Sequence, residues 1–121
     1  MKLFEAIDRI DSLKHNTYTN REKVEWISRL DGMVKNDIID THEGGENITF
    51  DGYTDNNLDV DLLVPFPYDD VYIRWLESQI DYYNGEITRY NNSISMFQTA
   101  YDTFDRFYNR THKPLSKTLK F

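Results

Sequence analysis

At 121 residues, with 39% hydrophobic and 29% charged side chains, the chain holds one domain with one modest core. Its 7 Phe, 9 Tyr and 2 Trp exclude a disordered chain, because sequences too polar to offset the entropy of ordering are also poor in aromatics. A formal charge of −7 excludes a surface that grips phosphate backbones all round, and the absence of Cys excludes disulfides, thiolate metal sites and a thiol nucleophile.

The first predicted element spans residues 3–14, where Leu3, Ile7 and Ile10 recur at steps of four and three with charges between them. Charges among residues 5–11 interrupt the apolar stretch that a signal peptide needs, and no run approaches the ~18 apolar residues of a membrane span. His15-Asn16 ends this helix, and Thr19 with Glu22 forms a capping box that starts a second. Its apolar face reads Val24, Ile27, Leu30, Val34 and Ile38, so it reaches about Asp40, with Gly32 inside at a cost of about 1 kcal/mol relative to Ala.

Between Thr41 and Asp70 the helical period stops. Gly44, Gly45, Gly52, Pro65 and Pro67 punctuate the stretch, and the β-favouring runs Ile48-Thr49-Phe50 and Leu62-Leu63-Val64 predict a short hairpin on a long loop. The charge is concentrated here: residues 36–73 carry ten Asp/Glu and no Lys/Arg, while the rest of the chain is net positive by three. Asp69 or Asp70 then places negative charge at the start of the next helix.

From Leu76 onward, Ile80, Tyr83, Ile87, Tyr90, Ile94, Phe97, Tyr101, Phe104 and Tyr108 alternate steps of four and three without a slip. Read as one helix to about Arg110, this is on the order of 50 Å long, more than the ~35 Å diameter of a compact domain of this size. Two alternatives stand beside a projecting helix: a bend at Asn84-Gly85, or an antiparallel helical hairpin turning there. The expectation is the long helix, straight or kinked at Gly85. Its seam and the off-seam Trp75 and Phe107 carry more aromatics than one helix face can bury, and a subunit interface would cover them. The tail from Lys113 to Phe121 has three lysines and no acid, and is expected to form a basic arm.

The expected fold is therefore mainly α: a helical bundle with two N-terminal helices (1–40), an acidic loop or hairpin (41–68), a long C-terminal helix or helix pair (69–111) and a basic arm (112–121).

Candidate chemistry is sparse. Asp55, Asn57 and Asp59 imitate the first ligands of a calcium loop, but Val60 and Phe66 stand where its Gly and bidentate Glu belong. His42-Glu43 begins a zinc-protease motif that lacks its second His. His15, His42 and His112 fall near helix ends or loops, outside any nucleophile motif, and are expected at the surface. No catalytic residue, metal or cofactor is expected. A basic arm and an acidic middle on one chain favour head-to-tail association, which closes into a ring where the rotation permits.

The segments LDGMVKNDIIDTHEGG (30–45), LLVPFPYDDVYIRWLESQIDYYNGEITRYNNS (62–93) and MFQTAYDTFDRFYNRTHKP (96–114) resemble small tailed-bacteriophage and prophage head-tail connector (adaptor) proteins, most specifically in the ending Tyr108 to Pro114. The resemblance covers nearly the whole chain. It implies a mostly helical, non-enzymatic virion protein, made and assembled in the bacterial cytoplasm, that forms a homo-oligomeric ring beneath the portal. It also implies contact with a stopper or tail-completion protein, and passage of DNA without specific binding.

In such rings loops and terminal segments reach neighbouring subunits or the portal, which suits 44–68 and 110–121. The residues expected at these interfaces are Phe50, Tyr53, Phe66, Tyr68, Tyr101, Tyr108, Arg110, His112, Lys113, Lys117 and Lys120. Asp51, Asp55, Asp59 and Asp61 are expected to face the channel, where like charge keeps DNA from adhering. A small acidic helical regulator that mimics DNA, and a tail-completion protein, are the alternative readings.

Overall fold

The first helix starts where Glu5 reaches back to accept from the Lys2 backbone N–H at 2.7 Å, and it runs as α1 over Leu3–Leu13. Its buried stripe is Leu3, Ala6, Ile7 and Ile10. Thr19 caps α2 (Asn20–Met33) as its spacing predicts: its hydroxyl accepts from Glu22 N at 3.2 Å, and the Glu22 carboxylate accepts from Thr19 N at 3.1 Å. Helical winding continues beyond α2 through a π turn at Val34–Ile38 and a 3-10 turn at Ile39–Thr41, matching the expected end near Asp40. The computed structural model describes residues 1–115.

The C-terminal region differs from the long-helix expectation. It is a hairpin of α3 (Asp70–Tyr83) and α4 (Ile87–Thr111). Gly85 has φ +74, a left-handed conformation that continues no helix and that Gly adopts without steric cost. Gly85 N donates to Tyr82 O and Glu86 N donates to Asp81 O, each at 3.0 Å, which is the hydrogen-bond pattern of a Schellman stop. The two helices then pack antiparallel: Tyr82 meets Tyr90, Ser93 donates to Asp81, Trp75 meets Phe97, and Tyr68 meets Phe104 and Phe107. α3 thus meets α4 through the off-seam Trp75, Asp81 and Tyr82, while the seam residue Tyr83 turns to Trp26 of α2.

The predicted β-hairpin is absent: among the described residues there is no strand, only the isolated bridges Lys2↔Asp61 and His42↔Pro114. Backbone donors of the second β-favouring run all have other partners, and in the first run Ile48 N donates to Gly45 O at 3.1 Å. Leu62 N donates to Met1 O at 3.0 Å, Leu63 N to the Asp31 carboxylate at 3.1 Å, and Val64 N to the Tyr72 hydroxyl at 2.7 Å. The segment is laid across the helices and held by their side chains. Its last corner is Pro65-Phe66-Pro67, with a cis Phe66–Pro67 peptide.

The core gathers Leu3, Ile10, Ile27, Leu30, Val64, Tyr72, Leu76, Ile80 and Phe104, each no more than 1% exposed. Burying a side chain of this kind is worth about 1.5–3 kcal/mol relative to leaving it in water. No helix among the described residues is long and apolar enough to cross a membrane.

Candidate interaction surfaces

Three charged groups lie inside the protein and fix how the helices meet. Asp31 of α2, wholly buried, accepts from Tyr72 Oη at 2.6 Å, Tyr53 Oη at 2.5 Å and Leu63 N. Burial pushes its carboxyl above the ordinary value, with the Tyr53, Tyr72 and Leu63 donors pulling it back. Burial, and then the Asp31 charge, push the Tyr72 and Tyr53 hydroxyls up, so both stay protonated as donors. Asp81 of α3 is 2% exposed. Its Oδ2 accepts from Ser93 at 2.8 Å, and its Oδ1 lies 2.7 Å from Lys14 Nζ as an ion contact out of hydrogen-bond line. Lys23 is held by Asp11 at 2.7 Å and the Tyr18 carbonyl at 2.9 Å. Simple periodicity reveals none of these, because each pairs residues from separate elements.

His42 departs from the surface expectation. It is 3% exposed; its Nδ1–H donates to the Ile38 carbonyl at 2.6 Å, and Nε2 lies 2.7 Å from the Asn109 amide oxygen. An amide serves either ring state: its oxygen accepts from an imidazolium, and after a half-turn its nitrogen donates to a neutral ring. Around His42 the end of α4 folds down. Tyr108 lies edge-on to it at 4.9 Å, His112 stacks on Tyr108 at 3.8 Å, Glu43 N donates to Lys113 O at 2.7 Å and Leu115 N to Thr41 O at 3.1 Å. The base of the arm is thus docked on its own chain through residue 115.

The residues expected at interfaces divide accordingly. Tyr108 is buried, and Tyr68, Tyr101 and His112 are half-buried in the α4 packing; burial, with Asp37, Asp105 and Asp102 nearby, pushes the Tyr101 hydroxyl up to about 12. Phe50 lies 4.8 Å from Tyr53, itself tied to Asp31. Arg110 and Lys113 are exposed, and Lys117 and Lys120 lie outside the described residues. Phe66 is 82% exposed. The acids Asp51, Asp55, Asp59 and Asp61 all face solvent. Lys2 bridges Asp61 at 3.4 Å and Asp59 at 3.5 Å, and those carboxylates, Asp61 first, push its ammonium up. Asp55 and Asp59 do not close into a cation loop with Asn57, whose Oδ1 accepts from Asp59 N at 3.2 Å.

The tip of the hairpin is an exposed surface outside the residues expected at interfaces. Ile87 is 74% exposed, Tyr82 59% and Tyr83 55%, and α1 brings Leu13, 60% exposed, to the same end, as the Lys14–Asp81 and Tyr18–Asn84 contacts show. Tyr83 stacks on Trp26 at 5.4 Å, and Tyr82 meets Tyr90 at 5.4 Å. Between Tyr82, Ile87 and Tyr90 lies an open groove of about 290 Å³. The signal that could have located it is the glycine stop itself: a hairpin turn exposes the seam positions beside it. Comparison with protein-family models, curated proteins and solved structures finds no match for this chain.

Proposed function

We propose that the chain is a subunit of a head-tail connector: a non-enzymatic ring component that joins a portal to a stopper or tail-side protein and lets DNA pass. The observation that carries the reading is the exposed apolar cluster at the hairpin tip, where Tyr82, Tyr83 and Ile87 of α3 and α4 lie side by side. Contiguous exposed apolar surface of this kind marks association sites. The resemblance of residues 30–45, 62–93 and 96–114 to connector proteins supplies the setting. The acids Asp51 and Asp55 on the outer segment suit a bore that repels phosphates, with Asp59 and Asp61 sharing their charge with Lys2.

Native mass spectrometry of the chain alone and mixed with a tailed-phage portal protein tests the reading. Portal-bound multiples of the 14.5 kDa subunit are expected, and a chain that joins neither itself nor the portal refutes it. The exposed acids also favour a second reading, a DNA mimic. Under that reading the chain competes with duplex DNA for a basic protein, and charge-neutral Asn variants of Asp51, Asp55, Asp59 and Asp61 lose the competition.

A further inference from the structure

Asn84 and Gly85 form the one Asn-Gly pair in the chain, and both are exposed at the hairpin stop. Asparagine is a thermolabile side chain, most of all where glycine follows, because no Cβ shields the glycine nitrogen. The pair carries its own electrophile and nucleophile. Gly85 N gives up its proton to water and bonds to Asn84 Cγ, the Cγ–Nδ2 bond breaks, and ammonia leaves as a succinimide ring closes. Water then opens the ring. Addition at Cγ leaves aspartate in an ordinary backbone, whereas addition at the backbone carbonyl leaves isoaspartate, with the chain running through the former side chain. One water is consumed, one ammonia is released, and no oxidant or reductant enters.

The fold holds this reaction off in three ways. Gly85 N donates to Tyr82 O at 3.0 Å, so the nucleophile is already engaged. Ring closure needs Gly85 N eclipsed with Cβ about the Asn84 Cα–C bond, and the helical ψ of −9 keeps it away from that position. The Asn84 side chain is tied at both ends: Oδ1 accepts from the Tyr18 hydroxyl at 2.7 Å, and Nδ2 donates to Glu86 Oε1 at 3.4 Å. Tyr18 is itself seated, edge-on to Trp26 at 5.2 Å. Burial, with Glu22 and Glu86 nearby, raises its hydroxyl above the ordinary value, so it stays a donor.

We infer that Asn84 is a latent modification site, converted to aspartate or isoaspartate only when the hairpin turn opens, with the Tyr18 hydroxyl as its lock. Local opening of a turn costs less than unfolding the domain, so conversion proceeds in the native protein at a rate set by that opening. Either product changes the tip. Aspartate adds a carboxylate beside Glu86 at the C-terminal end of α3, where the helix dipole disfavours negative charge. Isoaspartate inserts a methylene into the backbone before Gly85 N, which takes Gly85 N and Glu86 N out of register with Tyr82 O and Asp81 O. The frame that presents Tyr82, Tyr83 and Ile87 is then lost.

The test follows residue 84 in wild type, Tyr18→Phe and Tyr53→Phe, each incubated in mildly alkaline buffer with and without unfolding urea. Mass spectrometry of the digested chain reads loss of the amide, and isoaspartyl methyltransferase labelling reads the isoaspartate share. In urea the three chains are expected to convert at one rate, and folded wild type at least about tenfold more slowly. Folded Tyr18→Phe should convert severalfold faster than folded wild type, while Tyr53→Phe, whose lost hydroxyl bonds Asp31, should keep the wild-type rate. Folded wild type converting as fast as the unfolded chain overturns the masking, and no conversion at residue 84 even in urea overturns the site. A Tyr18→Phe rate equal to wild type, or matched by Tyr53→Phe, overturns the lock. The isolated isoaspartate form should exchange its Glu86 amide faster than the unmodified chain, and equal exchange overturns the loss of the turn. None of these readouts depends on a ring or a portal.

Discussion

Replacing Asp31 with Ala removes the one acceptor shared by three donors: Tyr72 Oη, Tyr53 Oη and Leu63 N. A buried donor left without a partner costs about 1–3 kcal/mol. Tyr53 and Leu63 are half-buried and can exchange the carboxylate for water, so the cost concentrates on the fully buried Tyr72 hydroxyl. Against it works the loss of a desolvated charge, because a carboxyl whose folded pKa is raised opposes folding once ionised. The net expectation at pH 7 is a loss of about 1–2 kcal/mol, read by urea denaturation with Trp26 and Trp75 fluorescence.

The sign can be checked separately. The raised carboxyl binds its proton more tightly in the folded state, so its contribution is fully present below the unfolded value of 3.8 and is lost as pH rises through the folded pKa. Wild type should therefore lose stability relative to Asp31→Asn across that window and stay level above it. An Asp31→Ala chain within about 0.5 kcal/mol of wild type, or a wild-type-to-Asn difference flat with pH, refutes the reasoning.

Gly85→Ala should destabilise by about 1–2 kcal/mol in thermal or urea unfolding, because its φ of +74 is strained for any L side chain; a neutral result would favour a continuous helix. Lys14→Met strands the buried Asp81 and should cost about 2–3 kcal/mol, toward the low side of a broken buried pair because Lys14 is 23% exposed; Asp81→Asn added to it should restore part of the loss. His42→Leu removes one of two donors to the Ile38 carbonyl and the partner of the Asn109 amide, and should speed amide hydrogen exchange at Glu43 and Leu115 while leaving α1 and α2 protected, with unchanged exchange refuting the arm contact.

Local chemistry was legible in the sequence wherever neighbours in sequence carry it out. The stripe Leu3, Ile7, Ile10 and the Thr19–Glu22 box each act within a turn or two, and both helices begin within a residue or so of where they are predicted. The hairpin was misread for a definite reason. A three-residue turn at 84–86 that preserves heptad phase leaves the same apolar spacing as an unbroken helix, and only the helix-stop pair Asn84-Gly85 distinguishes them. The loop defeats local reading altogether. What fixes 53–64 is the Ser28, Asp31 and Tyr72 side chains together with the backbone of residues 1–4, where Leu3 N donates to Val60 O, Phe4 N to Leu58 O and Leu62 N to Met1 O, so β-propensity in Ile48–Phe50 and Leu62–Val64 builds no hairpin.

The surplus of aromatics, which suggested an interface along a projecting helix, resolves differently once the helix folds back. Pairing α3 with α4 covers the seam from within: Phe97, Phe104 and Tyr108 are buried, and Tyr90, Ile94 and Tyr101 are half-buried. Docking of residues 113–115 on 41–43 likewise occupies the start of the arm. Apolar surface in want of a cover therefore moves from the length of the helix to its ends, Phe66 at one and Ile87 with Tyr82 at the other.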